Sequence, residues 1–226
     1  MLESFFRLVG YGLCHQLPER SYFAGGYQLP VCARDTGIYL GFIIGLIVLW
    51  LLHRHERPSA SPRWPVLVLI GAFIGAMAVD GVTSYIGLRE TTNTLRLITG
   101  LLTGWALVAI TFPMLSAQLW TRPGAGRVLS KRRQVLVWLA ALVCTYLLAA
   151  YVMPHLGVVY PVLVTVAILV TFTCVNLVLV CLVPCFEGRA ERLRDAWRQV
   201  LIAFVLTVVE LGASAWLRVL TERLLS

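Results

Sequence analysis

The chain has 226 residues, of which 59% are hydrophobic and 13% charged, with a formal net charge of +8 and a mean hydropathy of +0.82. Soluble domains carry charge on about a quarter of their residues, so this composition excludes a soluble globular protein and predicts an integral membrane protein. Spans of about 20 residues suffice to cross a hydrocarbon core of about 30 Å, and several fit here with no length left for a separate soluble domain.

The opening MLESFFRLVGYGL is a poor signal peptide. Glu3 stands where a basic region belongs, and Arg7 and Gly10 break the apolar stretch. Phe5, Phe6, Leu8, Val9 and Leu13 instead predict a short retained helix, interfacial or re-entrant. Cys14 to Phe42 then sets two cysteines, a histidine and several charges against the first long apolar run. Six runs follow, at about Thr36–His53, Trp64–Tyr85, Leu95–Trp120, Gln134–Met153, Gly157–Val183 and Gln199–Leu220. They are too long and uniformly apolar for barrel strands, and an open strand in lipid would leave its backbone groups unpaired. The expectation is therefore an all-α polytopic membrane protein, one transmembrane domain over 1–226, with residues 1–35 as a polar segment and 36–226 as the helical bundle. Pro58 and Pro62, Pro123, Pro154 and Pro184 punctuate the connections, and Pro113 inside the third run predicts a bend.

Basic residues set the orientation, because cytoplasmic loops carry an excess of them. The loops holding Arg54 to Arg63, Arg122 to Arg133 and Arg189 to Arg198 contain twelve Lys and Arg against seven on the other side. Both termini are thus expected on the exoplasmic side of a plasma membrane. The high pI reflects this signal and attraction to anionic headgroups, so the lipid bilayer, not nucleic acid, is the expected partner.

Polar residues within spans are costly and face other protein. Asp80, near the outer end of the second run, shares an expected edge with Cys14, His15, Arg20, Cys32, Arg34 and Asp35, and with Asn93, Arg96 and Thr99 at the start of the third. Arg34, Asn93, Arg96 and Thr99 suit a phosphate or carboxylate headgroup through charge-assisted hydrogen bonds; His15 and Asp80 are the general acid or base candidates. The plainer reading pairs Asp80 with Arg34 or Arg96 for neutralisation alone. Glu210, mid-span in the sixth run, is either a relay carboxylate with Asn176 as neighbour or a protonated acid bonded to another helix. Three readings stay open for Cys14, His15, Cys32 and Asp35: a Cys14–Cys32 disulfide, a zinc site, or reduced thiols that pack or exchange.

CHQLPERS from Cys14, QLPVCARDTGIYLGF from Gln28 and DGVTSYIGLRETTNTLRLITGLLTG from Asp80 resemble the prokaryotic membrane-protein family called domain of unknown function 2085. The resemblance covers roughly the first half of the chain. It implies a small multi-pass membrane protein without an assigned activity, and it implies CARCTG in relatives where this chain has CARDTG, a Cys-x-x-Cys set that Asp35 changes here.

Nucleotide-binding, dinucleotide-binding, HExxH and GxSxG motifs do not occur in the sequence. The leading expectation is a multi-pass membrane protein with a polar exoplasmic site. An enzyme acting on a lipid or polyprenyl phosphate, metal-dependent in one version, is the first alternative, and a small-solute or ion transporter using Asp80 and Glu210 is the second. The oligomeric state is unspecified, because lipid-facing and helix-facing apolar surfaces look alike in one sequence.

Overall fold

A computed structural model describes residues 2–225. It contains α1 (Leu2–Tyr11), α2 (Ala33–His53), α3 (Trp64–Tyr85), α4 (Asn93–Leu119), α5 (Arg132–Leu147), α6 (Val159–Cys181) and α7 (Trp197–Leu225). Six helical segments, with α5 continuing through irregular turns to Leu156, are long and apolar enough to cross a membrane. The expected all-α polytopic architecture is therefore present. α1, at ten residues, rises only about 15 Å and cannot span; it buries Phe6 and Gly10 and leaves Leu2, Phe5 and Leu8 exposed.

Four spans begin two or three residues earlier than the apolar runs do, because apolarity marks the hydrocarbon layer whereas hydrogen bonding marks the helix. α2 takes in Arg34 and Asp35, which the sequence reading assigned to the N-terminal segment, and α4 starts where the Thr92 hydroxyl accepts the Leu95 N–H at 3.3 Å. α4 also continues as helix through Pro113. Two minimal ladders leave the class unchanged: β1 (Phe23–Ala24) with β2 (Tyr27–Gln28), antiparallel, and β3 (Pro58–Ala60) with β4 (Gly124–Arg127), parallel. Gly25 and Gly26 turn the first at φ 58° and 81°, as a tight hairpin requires.

α2 and α4 run side by side in the same direction along a seam of glycines. A Cβ on Gly37 would lie 2.5 Å from the Leu97 carbonyl oxygen and one on Gly41 2.9 Å from that of Leu101; from the other side, Gly100 and Gly104 face the carbonyls of Arg34 and Ile38 with no room for a side chain. Lipid tails are as apolar as leucine, so helices in a bilayer associate through such close backbone approach rather than through hydrophobic exclusion. α4 lies at the centre, with Leu97, Leu101, Trp105, Val108 and Ala109 buried, and Trp105 Nε1 donates to the Trp138 carbonyl at 3.2 Å. α3, α5 and α7 turn large apolar faces outward.

The connections sort by end. The three arginine-rich loops meet at one end through the β3–β4 ladder and a Trp120–Ala190 bridge. The N-terminal segment, the α3–α4 connection and the end of α7 meet at the other, where Asn93 Nδ2 donates to the Glu19 carbonyl at 3.1 Å and Arg218 Nη1 to the Cys14 carbonyl at 2.6 Å.

Gly104→Val is expected to lower the unfolding temperature in detergent by forcing α2 and α4 apart, at a cost of at least about 1–3 kcal/mol. Gly75→Ala on α3, where a Cβ meets nothing within 4 Å, is expected to leave it unchanged or raise it.

Candidate functional site

The polar edge is built on a pinned arch, residues 12–32. Gln16 adopts a left-handed φ of 53°, uncommon for a residue with a side chain. Its Nε2 donates to the carbonyls of Arg7 at 2.8 Å and Pro30 at 2.7 Å, while Gln28 Nε2 donates to the Gln16 carbonyl at 2.8 Å. From outside, Arg218 of α7 donates to the Tyr11 and Cys14 carbonyls, both at 2.6 Å, and its guanidinium carbon lies over the Tyr11 ring, 4.2 Å from the ring centre.

The arch brings Cys14 back onto the first turn of α2. The Cys32 N–H donates to Cys14 Sγ at 3.3 Å, and the Cys32 thiol donates to Asp35 Oδ2 at 3.2 Å. One ligand atom from each of Cys14, Cys32 and Asp35 lies within 4.8 Å of the others, and both sulfurs are unbridged. The side-chain interaction between the two thiols holds Cys14 below its ordinary value and, together with burial, pushes Cys32 far up. His15, the neighbour of Cys14, is exposed and stands outside this cluster.

Asp80 is 1% exposed and fully engaged. One carboxylate oxygen accepts from Arg89 Nη2 at 2.6 Å and Thr91 Oγ1 at 3.1 Å; the other accepts from Arg34 Nη2 and from Thr99 Oγ1 at 3.3 Å. Of the two partners considered from sequence, Arg34 is present and Arg96 is not: Arg96 Nη1 donates to Asn93 Oδ1 at 3.2 Å. Arg89 takes the second place, and its position nine residues after Asp80, across the short α3–α4 turn, was the available signal. With four donors on two oxygens, Asp80 serves as a tie among α3, α2 and α4 rather than as a free acid or base.

A cavity of about 380 Å³ opens beside these groups, lined by Cys14, His15, Cys32, Asp35 and three arginines, Arg20, Arg34 and Arg96. Among the described residues no carboxylate pairs with Arg20 or Arg96 within 4 Å, and Arg34 Nε is buried without an acceptor. The anion-binding set read from sequence divides here. Arg34 and Arg96 line the cavity; Asn93 holds Arg96, and Thr99 holds Asp80. Arg20, within CHQLPERS, joins them, and only the arch shows why.

Glu210 lies elsewhere on α7, accepting from Asn176 Nδ2 at 3.1 Å, the neighbour expected for it; the same amide donates to Thr207 Oγ1 at 3.1 Å. Asp80 and Glu210 share none of the hydrogen-bond partners described here.

Asp80→Asn is expected to leave two guanidinium groups without their carboxylate and to cost about 3–5 kcal/mol, as breaking a buried pair does. Thermal unfolding in detergent measures this, and an unchanged transition would show that the pairs are dispensable.

The family model described as predicted membrane protein (DUF2085) matches residues 14–110, which contain the arch from Cys14 onward, the glycine seam and every residue of the Asp80 tie. An uncharacterized protein of Methanocaldococcus jannaschii is 38% identical over 102 residues, 45% of this chain and 63% of that protein. An uncharacterized protein of Methanothermobacter thermautotrophicus is 37% identical over 99 residues, 44% of this chain and 84% of that protein. No solved structure matches the chain at a significant level. With the family model matched and 84% of the second relative covered at 37% identity, this chain belongs to the DUF2085 family of predicted membrane proteins.

Proposed function

We propose that this multi-pass membrane protein binds a phosphate- or carboxylate-bearing group in the arginine-lined cavity, at the exoplasmic edge of the plasma membrane. The observation that carries the reading is the convergence of Arg20 from the arch, Arg34 from α2 and Arg96 from α4 on one cavity of about 380 Å³. Like charges gathered at a membrane edge repel one another, and the two carboxylates at hand, Asp80 shared between Arg34 and Arg89 and Asp35 in the cavity wall, are outnumbered by the arginines. An anion relieves that repulsion, and its oxygens supply an acceptor for Arg34 Nε, a buried donor whose missing bond costs about 1–3 kcal/mol. The planar guanidinium fork suits phosphate and carboxylate oxygens in particular. Two sources share this chemistry, a lipid headgroup reached from the bilayer and a free anion reached from water.

Binding to purified protein in detergent, read by native mass spectrometry and competition, separates them, with dioctanoyl phosphatidate and inorganic phosphate as the two probes. At least one probe is expected to bind, and Arg96→Gln is expected to weaken it roughly tenfold or more, since a hydrogen bond to a charged group contributes about 1.5–3 kcal/mol. Preference for the phosphatidate identifies a headgroup site and preference for phosphate a free-anion site; binding of neither, or binding indifferent to Arg96→Gln and Arg20→Gln, overturns the reading.

Orientation has its own check. Alkaline phosphatase fused after Ser226 is expected to be active and a fluorescent protein at the same place dark, with the reverse for fusions in the α4–α5 loop; the opposite pattern would move the site to the cytoplasmic edge.

A further inference from the structure

We propose that Cys14 Sγ, Cys32 Sγ and the Asp35 carboxylate form a three-ligand site for a zinc-class divalent cation, with its fourth coordination position opening into the arginine-lined cavity. The three donor atoms come from two separate segments and already lie within 4.8 Å of one another. Around a tetrahedral zinc, with metal–sulfur distances of about 2.3 Å and metal–oxygen distances of about 2.0–2.2 Å, donor atoms stand roughly 3.5–3.8 Å apart. The 3.2 Å between Cys32 Sγ and Asp35 Oδ2 is close to that spacing, so closure around an ion requires side-chain adjustment and no backbone rearrangement.

The backbone is fixed where it matters. Cys32 and Asp35 are three residues apart at the start of α2 and therefore share a helix face. Cys14 is held from three directions: its N–H donates to the Gly10 carbonyl at 3.0 Å, its carbonyl accepts from Arg218 at 2.6 Å, and the left-handed Gln16 is bonded to Pro30 at 2.7 Å. A residue with φ of 53° occupies an uncommon conformation, here one that turns the chain so that Cys14 meets Cys32.

The donor set selects the ion. Thiolates favour zinc and softer metals, whereas calcium and magnesium prefer oxygen ligands throughout. Two thiolates and a carboxylate carry three negative charges, so a divalent ion leaves one, which the adjacent arginines offset. Cys14, Cys32 and Asp35 all line the cavity, so the coordination position they leave vacant faces it. Sites of three protein ligands with one open position are the arrangement of zinc that binds water or substrate, not of zinc that only staples a fold. His15, on the cavity wall but outside the gathered donors, is not one of the three.

This site does not depend on the anion reading, and Arg96→Gln separates the two: that variant is expected to weaken anion binding and keep the metal. Full-length protein would be purified in detergent without nickel chromatography or chelator and its metal measured by mass spectrometry. One zinc per chain is expected in the wild type and about a tenth of that or less in Cys14→Ser and Cys32→Ser, with Asp35→Asn weakening zinc at least about tenfold against a chromophoric competitor. Reduced, metal-free wild type titrated with cobalt is expected to develop thiolate-to-cobalt charge-transfer absorption and intense four-coordinate d–d bands, a readout that needs no variant to fold. Absence of both zinc and the cobalt spectrum, equal metal in Cys14→Ser, or a Cys14–Cys32 disulfide in protein whose thiols are blocked before lysis would each overturn the proposal.

Discussion

The close approach of α2 and α4 is the constraint on which the rest of this protein depends. Gly37, Gly41, Gly100 and Gly104 let the two backbones pack at a separation that excludes a methyl group, and in lipid such packing is the main attraction between apolar helices. Because the helices run parallel, their N-terminal turns stand together at one membrane edge. The consequence is chemical: Arg34 on one first turn and Thr99 on the other both reach Asp80, a carboxylate that would be costly in hydrocarbon alone, while Asp35 and Arg96 line the cavity beside them.

Asp80 completes this arrangement from α3. A buried carboxylate is tolerated only when its charge and lone pairs are satisfied, and Arg34, Arg89, Thr91 and Thr99 supply two donors to each oxygen. The tie fixes the rotation of α3, whose outer face otherwise has little to grip, and it anchors the Arg34 guanidinium at the cavity wall. The remaining positive charge at the cavity, from Arg20 and Arg96, is left facing open space.

The arch over this edge joins the two ends of the chain. Arg218 and Ser214 of α7 donate to backbone carbonyls of residues 11–14, so the last span holds in place the segment that carries Cys14. The thiols, the arginines and the Asp80 tie thus belong to one mechanical unit, although α7 lies outside the region that the family model matches. Glu210, farther along α7 and bonded to Asn176, shows how the same helix can hold a second polar contact within the bilayer.

Much of this was legible in the residues themselves. Runs of apolar side chains long enough to cross a bilayer must be helical, because lipid offers backbone groups no partner, so class, span number and the clustering of polar chemistry at one edge follow from composition and order. The Asn176–Glu210 contact was also readable, as two costly polar groups in adjacent spans have few other partners. Which polar groups meet was not. Asn93 and Thr99 read as ligands for an anion, yet they hold Arg96 and Asp80; Arg89 replaced Arg96 as the second partner of Asp80; and Arg20 reached the cavity only through the Gln16 turn. Those outcomes depend on helix rotation and on a bend in an irregular arch, set by distances between residues far apart in the chain. One-dimensional order specifies which side chains lie at the membrane edge, whereas the glycine seam and the arch, both three-dimensional contacts, decide which of them touch.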